Sequence, residues 1–139
     1  NQQFDIGLQI LDAGLIPIIE PEVDIHSATK AEIEESLRDK LAASLDSVPE
    51  GKQVVFKLSL PSQANFYAPL IDHPKVMRVV ALSGGYSRDE ACTMLAANHG
   101  MIASFSRALS EGLTAQMSEE EFTATLDAAI AEIFAASIT

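Results

Sequence analysis

The sequence predicts an α/β fold built on parallel strands, and three observations carry that expectation. Four short runs are almost continuously aliphatic or β-branched: residues 15–20 (LIPIIE), 53–60 (QVVFKLSL), 76–82 (VMRVVAL) and 101–105 (MIASF). Strands covered by helices read this way, because their side chains are apolar on both faces. Segments of helical period lie between the runs. The two kinds of segment alternate along the chain, which is the pattern of strand–helix units wound into a parallel sheet by crossover connections.

The elements follow in order. Phe4, Leu8 and Leu11 share one helical face, and Gly14 stands where that helix should stop. The first strand, residues 15–20, comes next. Thr29 and Glu32 have capping-box spacing and open a helix whose stripe is Ile33, Leu37, Leu41 and Leu45. Val48-Pro49-Glu50-Gly51 and Asp72-His73-Pro74 are loops that lead into the second and third strands. Ser87 with Glu90, and Ser118 with Glu121, give two more capping boxes. The last helix carries the stripe Phe122, Leu126, Ile130 and Phe134. The carboxylates of Ser118-Glu119-Glu120-Glu121 suit a helix dipole rather than a metal.

Composition bounds the function. The chain has 139 residues, 47% hydrophobic and 21% charged, which is the composition of a folded globular protein. Its length suits a single domain over residues 1–139, able to bury roughly two-thirds of its unfolded surface. With 9 Lys and Arg against 20 Asp and Glu, the net charge is −11. Nucleic acid and anionic membrane surfaces are therefore poor partners, since phosphate binding at scale needs clustered cations. No apolar run is long enough for a transmembrane helix. The single cysteine, Cys92, excludes a disulfide within the chain and fits a reducing, cytoplasmic setting. The opening Asn1-Gln2-Gln3-Phe4 is neither an initiator methionine nor a signal peptide, so the chain reads as a piece of something longer.

Reactive groups fall at the carboxyl ends of the strands. The first strand ends in Glu20-Pro21-Glu22, the second carries Lys57, the third runs into Ser83-Gly84-Gly85, and the fourth leads to Ser104-Phe105-Ser106-Arg107. In a parallel α/β protein these ends open onto one face, where active sites sit. Strand alternation places Lys57 with Val55 and Ser59 on one side, and Val54, Phe56, Leu58 and Leu60 on the other. On the first strand Ile16, Ile18, Glu20 and Glu22 share a side. Four such strands suit a small open sheet, or half of an eight-stranded barrel of ~250 residues.

The chemistry follows from the residue types. Among Val55, Phe56 and Leu58, a lysine is costly to bury charged, and its neutral amine is a nucleophile for a carbonyl. Attack on a ketone gives a carbinolamine and then an iminium, an electron sink for carbon–carbon cleavage. Glu20 and Glu22 are placed to supply the acid and the base. A structural Lys57–glutamate pair is the competing reading. Ser83-Gly84-Gly85, before a helix N-terminus, suits a phosphate that Arg107 clamps, although such a turn is also an ordinary strand-to-helix connection. His26, His73 and His99 lack metal-ligand spacing. Cys92 is expected to be packed and inert, and Tyr67 or Tyr86 to line the mouth of the site.

Glu20-Pro21-Glu22, the Lys57 strand, Leu82-Ser83-Gly84-Gly85 and Ser104-Phe105-Ser106-Arg107-Ala108-Leu109 resemble class I fructose-bisphosphate aldolase in order and spacing, most closely the short bacterial form. The likeness covers the whole chain but only the carboxyl half of that enzyme. It implies the carboxyl half of a (β/α)8 TIM barrel, and a lyase of glycolysis and gluconeogenesis that splits fructose 1,6-bisphosphate into dihydroxyacetone phosphate and glyceraldehyde 3-phosphate. By position, Lys57 would be the Schiff-base lysine, Glu20 the acid/base that removes and adds water, and Glu22 its neighbour. Ser83, Gly84, Gly85, Ser104 and Arg107 would hold a substrate phosphate, with no metal or organic cofactor. Animal members usually have glycine where Ser106 stands, and end in a tyrosine tail that is absent here. The amino-terminal half would supply a catalytic aspartate and further lysines. A half barrel would pair with that half or self-associate. An inactive phosphate-binding or assembly module, or a Schiff-base aldolase for another sugar phosphate, are the alternatives.

Overall fold

A computed structural model describes residues 2–139. Helix α1 (Gln2–Asp12) precedes strand β1 (Ile18–Ile19). Helix α2 (Lys30–Ser44) leads to β2 (Val54–Ser59), and a short α3 (Ala68–Ile71) to β3 (Val76–Leu82). Helix α4 (Arg88–Ala96) connects to β4 (Met101–Ala103), followed by α5 (Arg107–Ser110) and α6 (Glu119–Ser137). All neighbouring strands pair in parallel, in the order β1-β2-β3-β4. Each crossover therefore moves the chain one place in the same direction, as the wall of a barrel is laid down. The four parallel strands with alternating helices bear out the expected α/β architecture and are half the complement of an eight-stranded barrel.

The two sides of the sheet differ as alternation requires. Val54, Phe56, Leu58 and Leu60 are buried against the helices with Val79, Ala81, Leu41, Leu45, Tyr67 and Leu95. Each large side chain fully buried there contributes about 1.5–3 kcal/mol. The inner side is open. Ile18 is 60% exposed, and Ile16, Glu20 and Glu22 are exposed beside it. The outermost strands are shorter than the apolar runs suggest. Val55 N–H still reaches the carbonyl of Pro17, and Ser104 N–H that of Ala81, so pairing extends beyond the regular ladder at both edges.

Three expectations are corrected. The stripe on α2 does not begin at Ile33, which is 41% exposed; Lys30 and Glu34 are buried in its place, with Leu41 and Leu45 following. On α6 the expected stripe faces outward. Phe122, Ile130 and Phe134 are exposed, while Ala129 and Ala136 are buried where the helix packs on α4 and β4. Small side chains allow the close approach, so bulk does not mark the inner face of this helix. Capping boxes form at Ser87–Glu90 and Ser118–Glu121, but Thr29 makes no side-chain cap; its N–H is taken by Ser27 Oγ instead. Among the described residues no helix is long and apolar enough to cross a membrane.

Candidate active site

The sheet register brings the amine and the carboxylate together. β1 sets Ile18 against Val55 and Ile19 against Phe56. Carried one step further along the same face, that register sets Glu20 against Lys57. Lys57 Nζ lies 2.7 Å from Glu20 Oε1, with the lysine side chain 25% exposed and the glutamate 47%. The dry pocket expected around Lys57 is thus only half built here. Phe56 and Leu58 point away from it to the helices, and the inner face is open above it.

A cleft of about 120 Å³ opens at the carboxyl ends of the strands. Glu20, Glu22, Lys57, Ser83, Gly84, Ser104 and Arg107 line it, together with Leu82 and Ser106. Gly85 stands just outside. Four strand ends therefore deliver to one place the groups that the sequence assigned to one mouth. Arg107 is exposed at the start of α5 and forms no ion pair with a described residue. It lines the cleft with no carboxylate of the described residues paired to it. A larger hollow of about 700 Å³ runs along the start of α6 past Ser118, Thr123 and Asp127, but no lysine, arginine or histidine lines it.

The Ser83–Tyr86 turn is closed by a bond from Tyr86 N–H to the Ser83 carbonyl. Gly84 and Gly85 adopt φ of +65° and +111°, which side chains rarely tolerate. A Cβ on Gly84 would also lie 2.9 Å from the Ile25 side chain. The loop that follows the two glutamates therefore packs directly on the turn beside Arg107.

One expected contribution is absent. The N-terminus of α4 is already occupied by carboxylates. Glu90 Oε2 accepts from Ser87 N–H, and Glu111 Oε2 accepts from Arg88 N–H at 2.7 Å. These bonds hold the Glu90 carboxyl below its ordinary range, the Ser87 hydroxyl and N–H being the causes. The Ser87 and Arg88 N–H groups at this helix end are therefore already spent on carboxylates.

The structure also contains a charged network that the apolar stripes concealed. Lys30 Nζ donates to Glu34 Oε1, to the Leu60 carbonyl (2.8 Å) and to Ser62 Oγ (3.1 Å). Glu34 Oε2 accepts from Ser62 N–H at 3.0 Å. The i, i+4 spacing of Lys30 and Glu34 was the available signal. Tyr67 does not line the mouth. It is buried in the core, its hydroxyl without a partner among the described residues, and burial first and Glu34 second raise its pKa. Tyr86 packs against the core edge, its pKa raised by burial and by Glu34 and Glu90. Cys92 is buried as expected, and desolvation, then Glu132, pushes its thiol up. His26 and His99 are exposed, and His73 Nδ1 accepts from Lys75 N–H. Among the described residues no group of three or more His, Cys, Asp or Glu is placed to hold a metal ion.

Comparison with known proteins gives a consistent answer. The chain is 55% identical, over all 139 residues, to a fructose-bisphosphate aldolase class 1 of Synechocystis sp.. It is 53% identical over 138 residues to the protein of that name from Porphyromonas gingivalis, and 50% identical over 139 residues to that from Clostridium acetobutylicum. It spans only 46–47% of the length of these curated relatives. No protein-family model matches the chain. The resemblance read from the strand-end motifs thus holds from one end of the chain to the other, and a carboxyl-terminal half fits the coverage.

Proposed function

We propose that this chain, homologous along its whole length to class 1 fructose-bisphosphate aldolases, carries the amine of a Schiff-base lyase that splits fructose 1,6-bisphosphate in glycolysis. The supporting observation is the convergence of Lys57, Glu20, Glu22 and Arg107 in one cleft. Glu20, at hydrogen-bond distance, takes a proton from the Lys57 ammonium. The free amine attacks the sugar's carbonyl carbon; the N–C bond forms as the carbonyl π pair moves to oxygen. The Glu20 carboxyl protonates that oxygen to a hydroxyl, then takes a proton from the new C–N ammonium and delivers it to the hydroxyl, which leaves as water while the freed nitrogen pair closes the iminium.

A carboxylate in the cleft then takes the proton of the hydroxyl on the fourth carbon. The bond between the third and fourth carbons breaks, its electrons pass into the iminium to give an enamine, and glyceraldehyde 3-phosphate departs. Protonation of the enamine carbon and addition of water to the restored iminium release dihydroxyacetone phosphate and return the amine. Ser83, Gly84, Gly85, Ser104 and Arg107 hold a phosphate while this occurs. The step needs no metal and no organic cofactor.

The open inner face and exposed apolar residues such as Ile16 and Ile18 support closure by further strands, and the relatives are about twice the length of this chain. Self-association is the other way to cover them. The test is cleavage of fructose 1,6-bisphosphate by the full-length polypeptide, in the presence of a chelator. Cleavage that persists, and is lost in Lys57→Ala, is the expected result. Absence of cleavage, or its loss on chelation, overturns the lyase reading. Binding of bisphosphate without turnover would make the protein a phosphate-binding or assembly module instead.

A further inference from the structure

We propose that Ser59 is a positioning residue that sets the amine against its carboxylate, an assignment that rests on the lyase reading above. Regular pairing between β1 and β2 ends at Ile19. The next ladder position on that side would fall at Pro21, which has no N–H to donate. The β1–β2 ladder therefore has no N–H bond to give at Pro21, between Glu20 and Glu22, where otherwise only Gln3 Nε2 reaches the Glu20 carbonyl (3.3 Å) among the described bonds. Ser59 supplies the next fastening. Its hydroxyl accepts from Val23 N–H at 2.9 Å and donates to the Val23 carbonyl at 2.9 Å.

Few side chains can do this. One hydroxyl is donor and acceptor at once, and the short serine stem leaves little play in the distance. Both ends are buried, Ser59 fully and Val23 nearly so, which keeps water from substituting for either bond. Ser59 stands two residues beyond Lys57 on the same side of β2, and Val23 stands one beyond Glu22. The clamp thus joins the strand with the amine to the loop with the two carboxylates, directly beside the 2.7 Å contact. The same loop seats Ile25 on Gly84, so its placement also bears on the turn beside Arg107.

The experiment is borohydride trapping of dihydroxyacetone phosphate on the full-length polypeptide, with wild type, Ser59→Ala and Ser59→Cys compared and folding checked by circular dichroism. Both variants should trap roughly 10- to 100-fold more slowly at saturating ligand, because displacement of a reacting group by about 1 Å costs that order of rate. Half-saturation should shift by less than about threefold, since no binding group is removed. If Ser59→Ala does not fold, Ser59→Cys, which keeps a weak donor and acceptor at the position, is read alone. A folded variant that traps at the wild-type rate overturns the assignment, as does a loss confined to half-saturation. Failure of wild type to trap instead overturns the lyase reading, and this assignment with it.

Discussion

Two lysine–glutamate pairs stand near the carboxyl end of β2, and they are satisfied in opposite ways. In the Lys30–Glu34 pair both side chains are buried, and all three ammonium protons have acceptors in Glu34, Leu60 and Ser62. Nothing is left over for a ligand. In the Lys57–Glu20 pair both side chains keep solvent access, the lysine has the one carboxylate beside it, and the two line a cleft with Glu22 and Arg107. Burial and an opposite charge are common to both pairs. What separates the two pairs is the hydrogen-bonding capacity that the fold leaves unspent, which is the capacity the proposed lyase chemistry would use.

The sharpest way to break this comparison is to disable each pair in turn. Lys57→Ala should abolish trapping and cleavage while its thermal unfolding stays near wild type, because that lysine is not part of the core. The same measurements on Glu20→Gln should show activity lower by about 10²–10⁴-fold, the range for loss of a positioned acid/base. Glu34→Ala should do the reverse. It leaves the Lys30 ammonium buried without its carboxylate, a change that costs about 3–5 kcal/mol in unfolding free energy by denaturant titration. Arg107→Ala should come next, raising the calorimetric dissociation constant for bisphosphate by roughly 10- to 100-fold, in line with loss of a charge-assisted bond to phosphate.

The smallest effect concerns pH. The Glu90 and Glu121 carboxyls are held below the ordinary 4.5 by bonds from Ser87 and Ser118 respectively. They return to that value on unfolding, so their contribution is complete above about pH 4.5 and is lost as pH falls through the lower folded values. The wild-type melting temperature should therefore drop below pH 4.5 more steeply than that of Ser87→Ala or Ser118→Ala. Equal slopes would remove the capping boxes from the account.

Much of this was legible in the sequence because period-2 alternation is rigid. Once residues 53–60 form a strand, Lys57 must share a face with Val55 and Ser59, and Phe56 must oppose them. The parallel order then follows from strands that alternate with helices. What escaped depends on distance rather than period. Ala129 and Ala136 face inward on α6 because two helices come close, and an alanine gives no hydrophobic signal strong enough to outweigh Phe122 and Phe134. Lys30 and Glu34 give no core signal, because charged residues are rarely buried unless paired. Their other partners, Leu60 and Ser62, lie about thirty residues away in the chain. The occupation of the α4 N-terminus by Glu111 is likewise a contact between distant segments. The Ser59–Val23 clamp is of the same kind: alternation puts Ser59 on the inner face, and only the fold shows what it holds.

Peptide mapping of the adduct left by borohydride and dihydroxyacetone phosphate tests the distinction between the two pairs most directly. The account predicts a single modified lysine, Lys57, with Lys30 unlabelled in the same digest. An adduct on Lys30, or an unmodified Lys57 in a preparation that cleaves the sugar bisphosphate, would contradict it.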